Sequence, residues 1–215
     1  MPRVKICGIK ETEHAIYASK LNVDYLGFVF VENVRRQLTQ DTAYELIENY
    51  REFTLRESPS LVGLFANQSL KFVNDTVRKC KLDMVQLCGA ESLDFCKLID
   101  VPVIKQIKVD KELIKNKSKI IDSIIEVINY GSIPILDHSE RGKLGGTGHS
   151  FDWSVIEGLS VEYDFILAGG LNPSNVRQAI RKVNPWGLDV SSGIETNGVK
   201  DKTKILEFIN KIREK

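Results

Sequence analysis

The sequence lacks the features that mark several common classes of protein. Its formal net charge is only +1 over 215 residues, so no strong attraction to nucleic acid or to a membrane surface is expected. It has no apolar run long enough to span a bilayer. Its N-terminus lacks the charged, apolar and cleavage regions of a signal peptide. These absences predict a cytoplasmic protein that has neither a nucleic-acid nor a membrane partner.

Cysteine and histidine are scarce as well. The 4 cysteines have spacings that fit neither a zinc site nor a disulfide scaffold, and the 3 histidines do not cluster. We therefore expect reduced thiols and no metal ion. The first apolar segment is not followed by a GxGxxG turn, and we expect no cofactor. The composition does not change along the chain, which predicts a single domain over residues 1–215.

Segments with the pattern of strands alternate with segments that have helical spacing. The first, at 4–10, alternates apolar and polar residues up to Cys7, and Gly8 then breaks the run. The seven further predicted strands are 25–30, 61–67, 84–89, 103–109, 133–137, 165–170 and 186–193. Strands that alternate with helices pair in parallel, so the pattern predicts an α/β fold, a single-domain (β/α)₈ barrel. A doubly wound open sheet is the alternative.

Local residues predict several helix starts. Thr39 is placed to cap a helix over 40–53, and Asp201 to cap the last helix. Asn172, followed by Pro173, is expected to cap the helix after the seventh strand. The other predicted helical segments are 11–21, 69–80, 91–99, 110–130 with a break near 115–119, and 151–158.

Two clusters of small residues end the last two strands. Gly169 and Gly170 precede a predicted helix, and Ser191, Ser192 and Gly193 end the eighth strand. Small residues leave backbone N–H groups open to an anion, and barrels often bind phosphate after strands seven and eight. The clusters therefore predict a phosphate site and a small phosphorylated substrate. Tight turns without a ligand are the alternative.

Two other strand ends carry side chains suited to proton transfer. Cys7 ends the first strand, and Asp137 ends the sixth before a glycine-rich loop at 139–150. A partly desolvated carboxyl has a raised pKa and can act as a general acid. Strands one and six of a ring lie three steps apart, so the two side chains are expected to face each other across the mouth. A buried structural thiol and a loop or capping carboxylate are the alternatives. His138 is expected to be structural, and His149 could approach a ligand.

Strand alternation from Cys7 also turns Lys5 inward. Asp189 lies on the eighth strand, which neighbours the first in a closed ring. Unpaired buried charge is costly, so we predict that Lys5 and Asp189 form an ion pair, or that Asp189 binds a sugar hydroxyl.

Longer motifs resemble one known family. The stretches are VKICGI (4–9), DYLGFVF (24–30), VGLFAN (62–67), VQLCG (85–89), LDHSERGKLGGTGHSFDW (136–153), LAGGLNPSNV (167–176) and LDVSSGIETNGVKD (188–201). Through nearly the whole chain they resemble, in order, the phosphoribosylanthranilate isomerase family. The combination of GGTG-x-x-FDW with GGLNP-x-NV and DVSSGIE is highly specific.

The resemblance implies an Amadori rearrangement of N-(5-phosphoribosyl)anthranilate to a 1-deoxyribulose 5-phosphate in tryptophan biosynthesis. It implies that Cys7 is the general base, Asp137 the general acid and Arg36 the contact for the anthranilate carboxylate. The two loops of small residues become the phosphate site.

The sequence departs from the family at two positions. Val34 stands where the family usually has the serine of S-x-R, and Cys88 stands where it usually has the histidine of VQLHG. They favour one alternative, a related barrel isomerase or lyase that acts on another phosphorylated sugar. A further alternative is a barrel that only binds a phosphorylated ligand, and the presence of both Cys7 and Asp137 argues against it. The sequence does not determine the oligomeric state or any protein partner.

Overall fold

The computed structural model describes residues 1–53, 59–138 and 152–214. Eight of its strands pair in sequence order in a closed parallel barrel, which confirms the predicted fold class. They are β1 Arg3–Cys7, β2 Tyr25–Val29, β3 Ser60–Phe65, β4 Met84–Leu87, β5 Val103–Val109, β6 Ile133–His138, β7 Ile166–Leu167 and β8 Gly187–Val190. Every residue of β2, β4 and β8 is buried, as in a parallel sheet with both faces covered.

Helices connect the strands. They are α1 Thr12–Lys20, α2 Gln40–Phe53, α3 Leu70–Cys80, α4 Leu93–Lys97, α5 Lys117–Asn129, α6 Val176–Val183 and α7 Lys202–Arg213. Two predicted caps are confirmed. Thr39 Oγ1 accepts from Thr42 N at 3.1 Å, and Asp201 Oδ1 accepts from the backbone N–H groups of Thr203 and Lys204. The predicted break is also confirmed, because a 3-10 turn ends before Asn116, which caps α5.

One predicted cap is wrong. Helix α6 begins at Val176, not after Asn172, and its N-cap is Asn175. Asn172 Oδ1 instead accepts from Ser174 N at 2.8 Å and from Asn175 N at 3.2 Å, and so closes a turn before the helix. Asparagine side chains bond the backbone two residues ahead as readily in a turn as at a cap, so the sequence does not separate the two.

The contacts of the chain fall into two compact units. One comprises Lys5–Lys105, and the other comprises Met1–Val4 with Gln106–Lys215. In the first, the rings of Phe30 and Phe65 stack with centroids 5.1 Å apart. The core of the second includes the fully buried Phe165 and Phe208. That residues 1–215 form one domain stays a prediction.

Strands β7 and β8 are shorter than the sequence pattern predicts. β7 ends at Leu167 and β8 at Val190, so both clusters of small residues lie in loops beyond the ladder. After β8 the chain makes a 3-10 turn, Ser192–Ile194, and then a short hairpin of β9 Glu195–Thr196 and β10 Val199–Lys200. Among the described residues, no helix is both long and apolar enough to cross a membrane.

Candidate active site

Cys7 is the last residue of β1, and its side chain is buried. The absence of a side chain at Gly27 makes room for it. A Cβ at Gly27 would lie 3.1 Å from Cys7 Cα and 3.2 Å from Cys7 Sγ. The Gly27 carbonyl also accepts from Gly8 N at 2.9 Å and from Ile9 N at 3.0 Å, which fixes the turn directly after the thiol. The sequence pattern gives no signal for this role of Gly27.

Asp137 lies near the carboxyl end of β6 and is half-buried. Gln106, on β5, donates from Nε2 to Asp137 Oδ2 at 2.7 Å. On the other side, Gly169 has a φ of +89°, and a Cβ there would lie 2.7 Å from His138 N and 3.0 Å from Asp137 Oδ1. Only glycine suits this position, because the backbone of the loop after β7 passes directly beside the carboxyl group. Sequence reasoning found Asp137 and Gly169 but missed Gln106.

The two loops predicted to bind phosphate lie against each other. A Cβ at Gly193 would lie 1.9 Å from the Leu171 carbonyl oxygen, so the loop after β8 packs directly on the loop after β7. The side-chain amides of Asn172 and Asn175 both donate to the Gly170 carbonyl, at 3.2 and 2.9 Å, and hold that loop in shape. Within the described residues, the backbone N–H groups of Gly169 and Gly170 donate to no backbone carbonyl.

A buried lysine holds the loop after β8. Lys200, on β10, donates from Nζ to the Ser191 carbonyl at 2.8 Å, to Ser191 Oγ at 3.5 Å and to Glu195 Oε1 at 2.9 Å. The side chains of Lys200 and Glu195 are 2% and 5% exposed, so the ion pair is buried. The contact needs the turn of the short hairpin, which is why sequence spacing did not predict it.

The other predicted residues of these loops are placed as follows. Ser191 and Ser192 are half-buried, and Ser192 begins the 3-10 turn. Asp189 is buried in β8.

The two arginines of the loop after β2 differ in how far they are buried. Arg36 is half-buried, whereas Arg35 is exposed. The loop is closed by a hydrogen bond from Leu38 N to the Val29 carbonyl at 2.8 Å, and by another from Gln37 N to the Val34 carbonyl at 3.0 Å. Val34 therefore takes part in the turn through its backbone. The difference in burial favours Arg36 over Arg35 as a ligand contact.

The fourth strand carries a second departure from the family pattern. Cys88 follows β4 and is half-buried, and its Sγ accepts a hydrogen bond from Gln86 Nε2 at 3.2 Å. Gln86 is 3% exposed, and its Oε1 has no hydrogen-bond partner in the described part of the chain. No motif in the sequence points to a role for Gln86.

Glu91, in the loop after β4, forms a second buried ion pair with Lys105 of β5 and also bonds the loop after β3. Glu91 accepts from Lys105 Nζ at 3.1 Å and from Asn67 N at 2.6 Å, and its side chain is 3% exposed.

Other candidates lie outside the proposed chemistry or outside the described residues. His149 and the glycine-rich loop lie outside the described residues, whereas His138 is half-buried. Among the described residues, the group with spacing suited to a metal ion is Glu11, Glu13 and His14 at the start of α1. Its two carboxylates are exposed, and His14 Nδ1 lies 3.4 Å from Glu11 Oε2.

Comparison with known proteins identifies a consistent set of relatives. A family model described as N-(5′-phosphoribosyl)anthranilate (PRA) isomerase matches residues 4–211. The chain is similar to the N-(5′-phosphoribosyl)anthranilate isomerase of Dehalococcoides mccartyi, at 38% identity over 218 residues that cover 100% of this chain and 97% of that protein. It is similar to the enzyme of the same name from Geotalea uraniireducens, at 40% identity with 99% of each chain covered.

Solved structures show the same similarity. The phosphoribosylanthranilate isomerase of Thermotoga maritima matches with a TM-score of 0.84 and 33% identity over 99% of both chains. A phosphoribosylanthranilate isomerase solved in complex with reduced 1-(o-carboxyphenylamino)-1-deoxyribulose 5-phosphate matches with a TM-score of 0.81 and 31% identity, again over 99% of both chains.

Proposed function

The chain belongs to the N-(5′-phosphoribosyl)anthranilate isomerase family, and we propose that it uses Asp137 as general acid and Cys7 as general base. It is an isomerase of tryptophan biosynthesis. Its reaction is the Amadori rearrangement of N-(5′-phosphoribosyl)anthranilate to 1-(2-carboxyphenylamino)-1-deoxyribulose 5-phosphate.

Ring opening is the step assigned to Asp137. The protonated carboxyl gives its proton to the furanose ring oxygen, and the bond between that oxygen and C1 breaks. The lone pair of the anthranilate nitrogen forms the C1=N double bond, so the product is a Schiff base. Gly169 lies on one side of this carboxyl and Gln106 on the other, and a proton-transfer group works best when it is held close to the atom it protonates.

Deprotonation of C2 is the step assigned to Cys7. The thiolate takes the proton, the C2–H electron pair forms a C1=C2 double bond, and the C=N electron pair returns to nitrogen. The resulting enolamine tautomerises to the amino-ketose. The ring oxygen has gained one proton and C2 has lost one, so the product is an isomer of the substrate. A free thiol has a pKa of about 8.5, so either the site lowers the pKa of Cys7 or the reaction uses the minority of molecules that carry the thiolate at neutral pH.

Two anionic ends of the substrate need separate partners. We assign the phosphate to the N–H groups of the small-residue loops, at Gly169, Gly170 and Ser191–Gly193. We assign the anthranilate carboxylate to Arg36, whose guanidinium can donate two parallel hydrogen bonds.

The observation that carries the proposal lies in the second unit of the chain. The carboxyl of Asp137 lies beside Gly169, and Gly193 packs on the same loop at Leu171. The acid and the proposed phosphate loops are thus one continuous structure. A barrel that merely bound a phosphorylated ligand would not need a carboxyl group held against its phosphate loop.

Loss of substrate fluorescence with freshly made phosphoribosylanthranilate tests the proposal. Cys7→Ala and Asp137→Asn are each expected to lower kcat by about 10²–10⁴-fold, with much smaller changes in KM, because each removes a proton-transfer group. Cys80→Ala and Asp164→Asn are the matched controls, since Cys80 lies on α3 and Asp164 lies before the amino end of β7. Both controls should retain turnover.

The roles of Asp137 and Cys7 are tested independently of each other. Near-normal turnover in Asp137→Asn would exclude it as the acid, and near-normal turnover in Cys7→Ala would exclude it as the base. A parent protein that binds the substrate without converting it would exclude the isomerase function.

A further inference from the structure

Gln106 contacts the proposed general acid directly. It lies on β5, and its Nε2 donates to Asp137 Oδ2 at 2.7 Å across a separation of 31 residues. Both residues are half-buried, so the hydrogen bond is partly shielded from water. A hydrogen bond between an amide and a carboxylate is stronger than one between neutral groups.

The opposite side of the carboxyl is also occupied. The Gly169 backbone lies so close that a Cβ would meet Asp137 Oδ1 at 3.0 Å. With backbone on one side and the Gln106 amide on the other, the carboxyl plane has little freedom to rotate.

We propose that Gln106 is a positioning residue that aims the Asp137 carboxyl and stabilises the carboxylate left after proton transfer. The proposal rests on the role of Asp137 as general acid. Glutamine suits this task because its amide carries both a donor and an acceptor. Nε2 donates to the carboxylate, and rotation of the amide by half a turn presents Oε1 to the protonated carboxyl. The same side chain can therefore hold both states that the acid passes through in one turnover.

A methionine at position 106 has nearly the same length but offers no N–H donor. Gln106→Met should raise the pKa of Asp137, because the carboxylate loses a donor while the protonated form loses less. Gln106→Glu should raise it further, since two carboxyl groups at this distance resist a second negative charge. The pKa of Asp137 is therefore expected to be lowest in the parent, higher in Gln106→Met and highest in Gln106→Glu.

Other charged groups near β6 stay constant across this series. His138 follows Asp137 on the strand, and β7 carries no titratable residue. The charged residues of the neighbouring elements are Lys105 and Lys108 on β5, and Lys117, Lys119, Asp122 and Glu126 on α5. A difference between variants therefore reports the change at position 106.

The experiment combines a titration with kinetics on the whole chain. Carbon-13 NMR of aspartate carboxyl groups gives the pKa, and the signal of Asp137 is identified by its absence in Asp137→Asn. Gln106→Met is expected to lose about 10- to 100-fold in kcat with little change in KM, as for one lost hydrogen bond to a charged group. The alkaline limb of its kcat/KM profile should move to higher pH, because the acid works only while protonated.

The outcomes separate this proposal from the one on which it rests. An unchanged carboxyl pKa and unchanged kcat in Gln106→Met, together with an inactive Asp137→Asn, would overturn the role of Gln106 alone. Full turnover in Asp137→Asn would overturn both proposals. If Gln106→Met does not fold, Gln106→Glu decides the point, and a pKa no higher than in the parent would reject the positioning role.

Discussion

Burial separates two adjacent arginines that the sequence alone presents as equals. Arg36 is half-buried in the closed turn after β2, and Arg35 is exposed. Arg36→Ala is expected to raise KM by about 10- to 100-fold with a smaller effect on kcat, because the substrate carboxylate is present in both the ground and transition states.

Arg35→Ala is the matched control, and it should leave both constants within a factor of about two, as most surface substitutions do. Steady-state kinetics over a range of substrate concentrations decides between them. A larger effect at Arg35 would mean that Val34 has shifted the loop, and that Arg36 is not the carboxylate contact.

Because the thiol of Cys80 is buried, we expect the free energy of unfolding to change with pH. Burial raises its pKa from 9.0 to about 11, with Lys79 and Arg51 opposing the shift. The unfolded thiol ionises first, so the stabilisation is complete below pH 9 and is lost as the pH rises from about 9 to about 11.

Urea unfolding of the parent and of Cys80→Ala across this range measures the effect. The variant should lose about 1–3 kcal/mol at pH 7 through its cavity, yet its stability should fall less steeply above pH 9. Parallel stability curves for the two proteins would contradict the prediction.

At the scale of elements, the hairpin of β9 and β10 holds the loop after β8. Its buried Lys200 bonds Ser191 and pairs with Glu195. Lys200→Met leaves the Glu195 carboxylate buried without this partner, which should cost about 3–5 kcal/mol of unfolding free energy. KM should also rise, because Ser191 belongs to the proposed phosphate loop.

Chemical unfolding and steady-state kinetics check both effects. The double variant Lys200→Met with Glu195→Leu should be more stable than Lys200→Met alone, since no buried charge is then left over. Lys211→Met is the control, because its ion pair with Glu214 lies on the surface and should change stability by less than about 1 kcal/mol. Equal loss in the single and double variants would show that packing, not charge, holds the hairpin.

At the scale of the whole molecule, the order of strands in the barrel makes β8 and β1 neighbours. Lys5 is 1% exposed and Asp189 is 9% exposed, so both charged side chains are buried. That they pair with each other stays a prediction. Lys5→Met and Asp189→Asn should show a coupling energy of about 0.5–3 kcal/mol in a double-mutant cycle of unfolding.

Additive effects in that cycle would rule out the pair. If Asp189→Asn then raised KM while the two stability effects added, the carboxylate would instead bind a sugar hydroxyl of the substrate.

The sequence by itself determined the order of the elements and placed Cys7 and Asp137 at or near the carboxyl ends of β1 and β6, but it made β7 and β8 too long. Buried strands show continuous apolar runs, and Thr39 and Asp201 cap their helices by hydrogen bonds to residues two or three positions ahead. Strands and helix starts of this kind therefore depend on neighbours along the chain. Cys7, Asp137 and the small-residue loops could be placed for the same reason. Asn172 shows where local sequence is insufficient, because the hydrogen bonds of its side chain suit a turn as well as a helix cap.

Only the tertiary structure decided which side chains support those residues. Gln106 meets Asp137 across 31 positions, Lys200 returns to Ser191 through a hairpin, and Gly193 packs on Leu171. Each contact depends on strand register and loop path, and a slip of one residue would turn a side chain to the opposite face. Such contacts leave no periodic signal in the sequence, because neither partner is chosen by its neighbours along the chain.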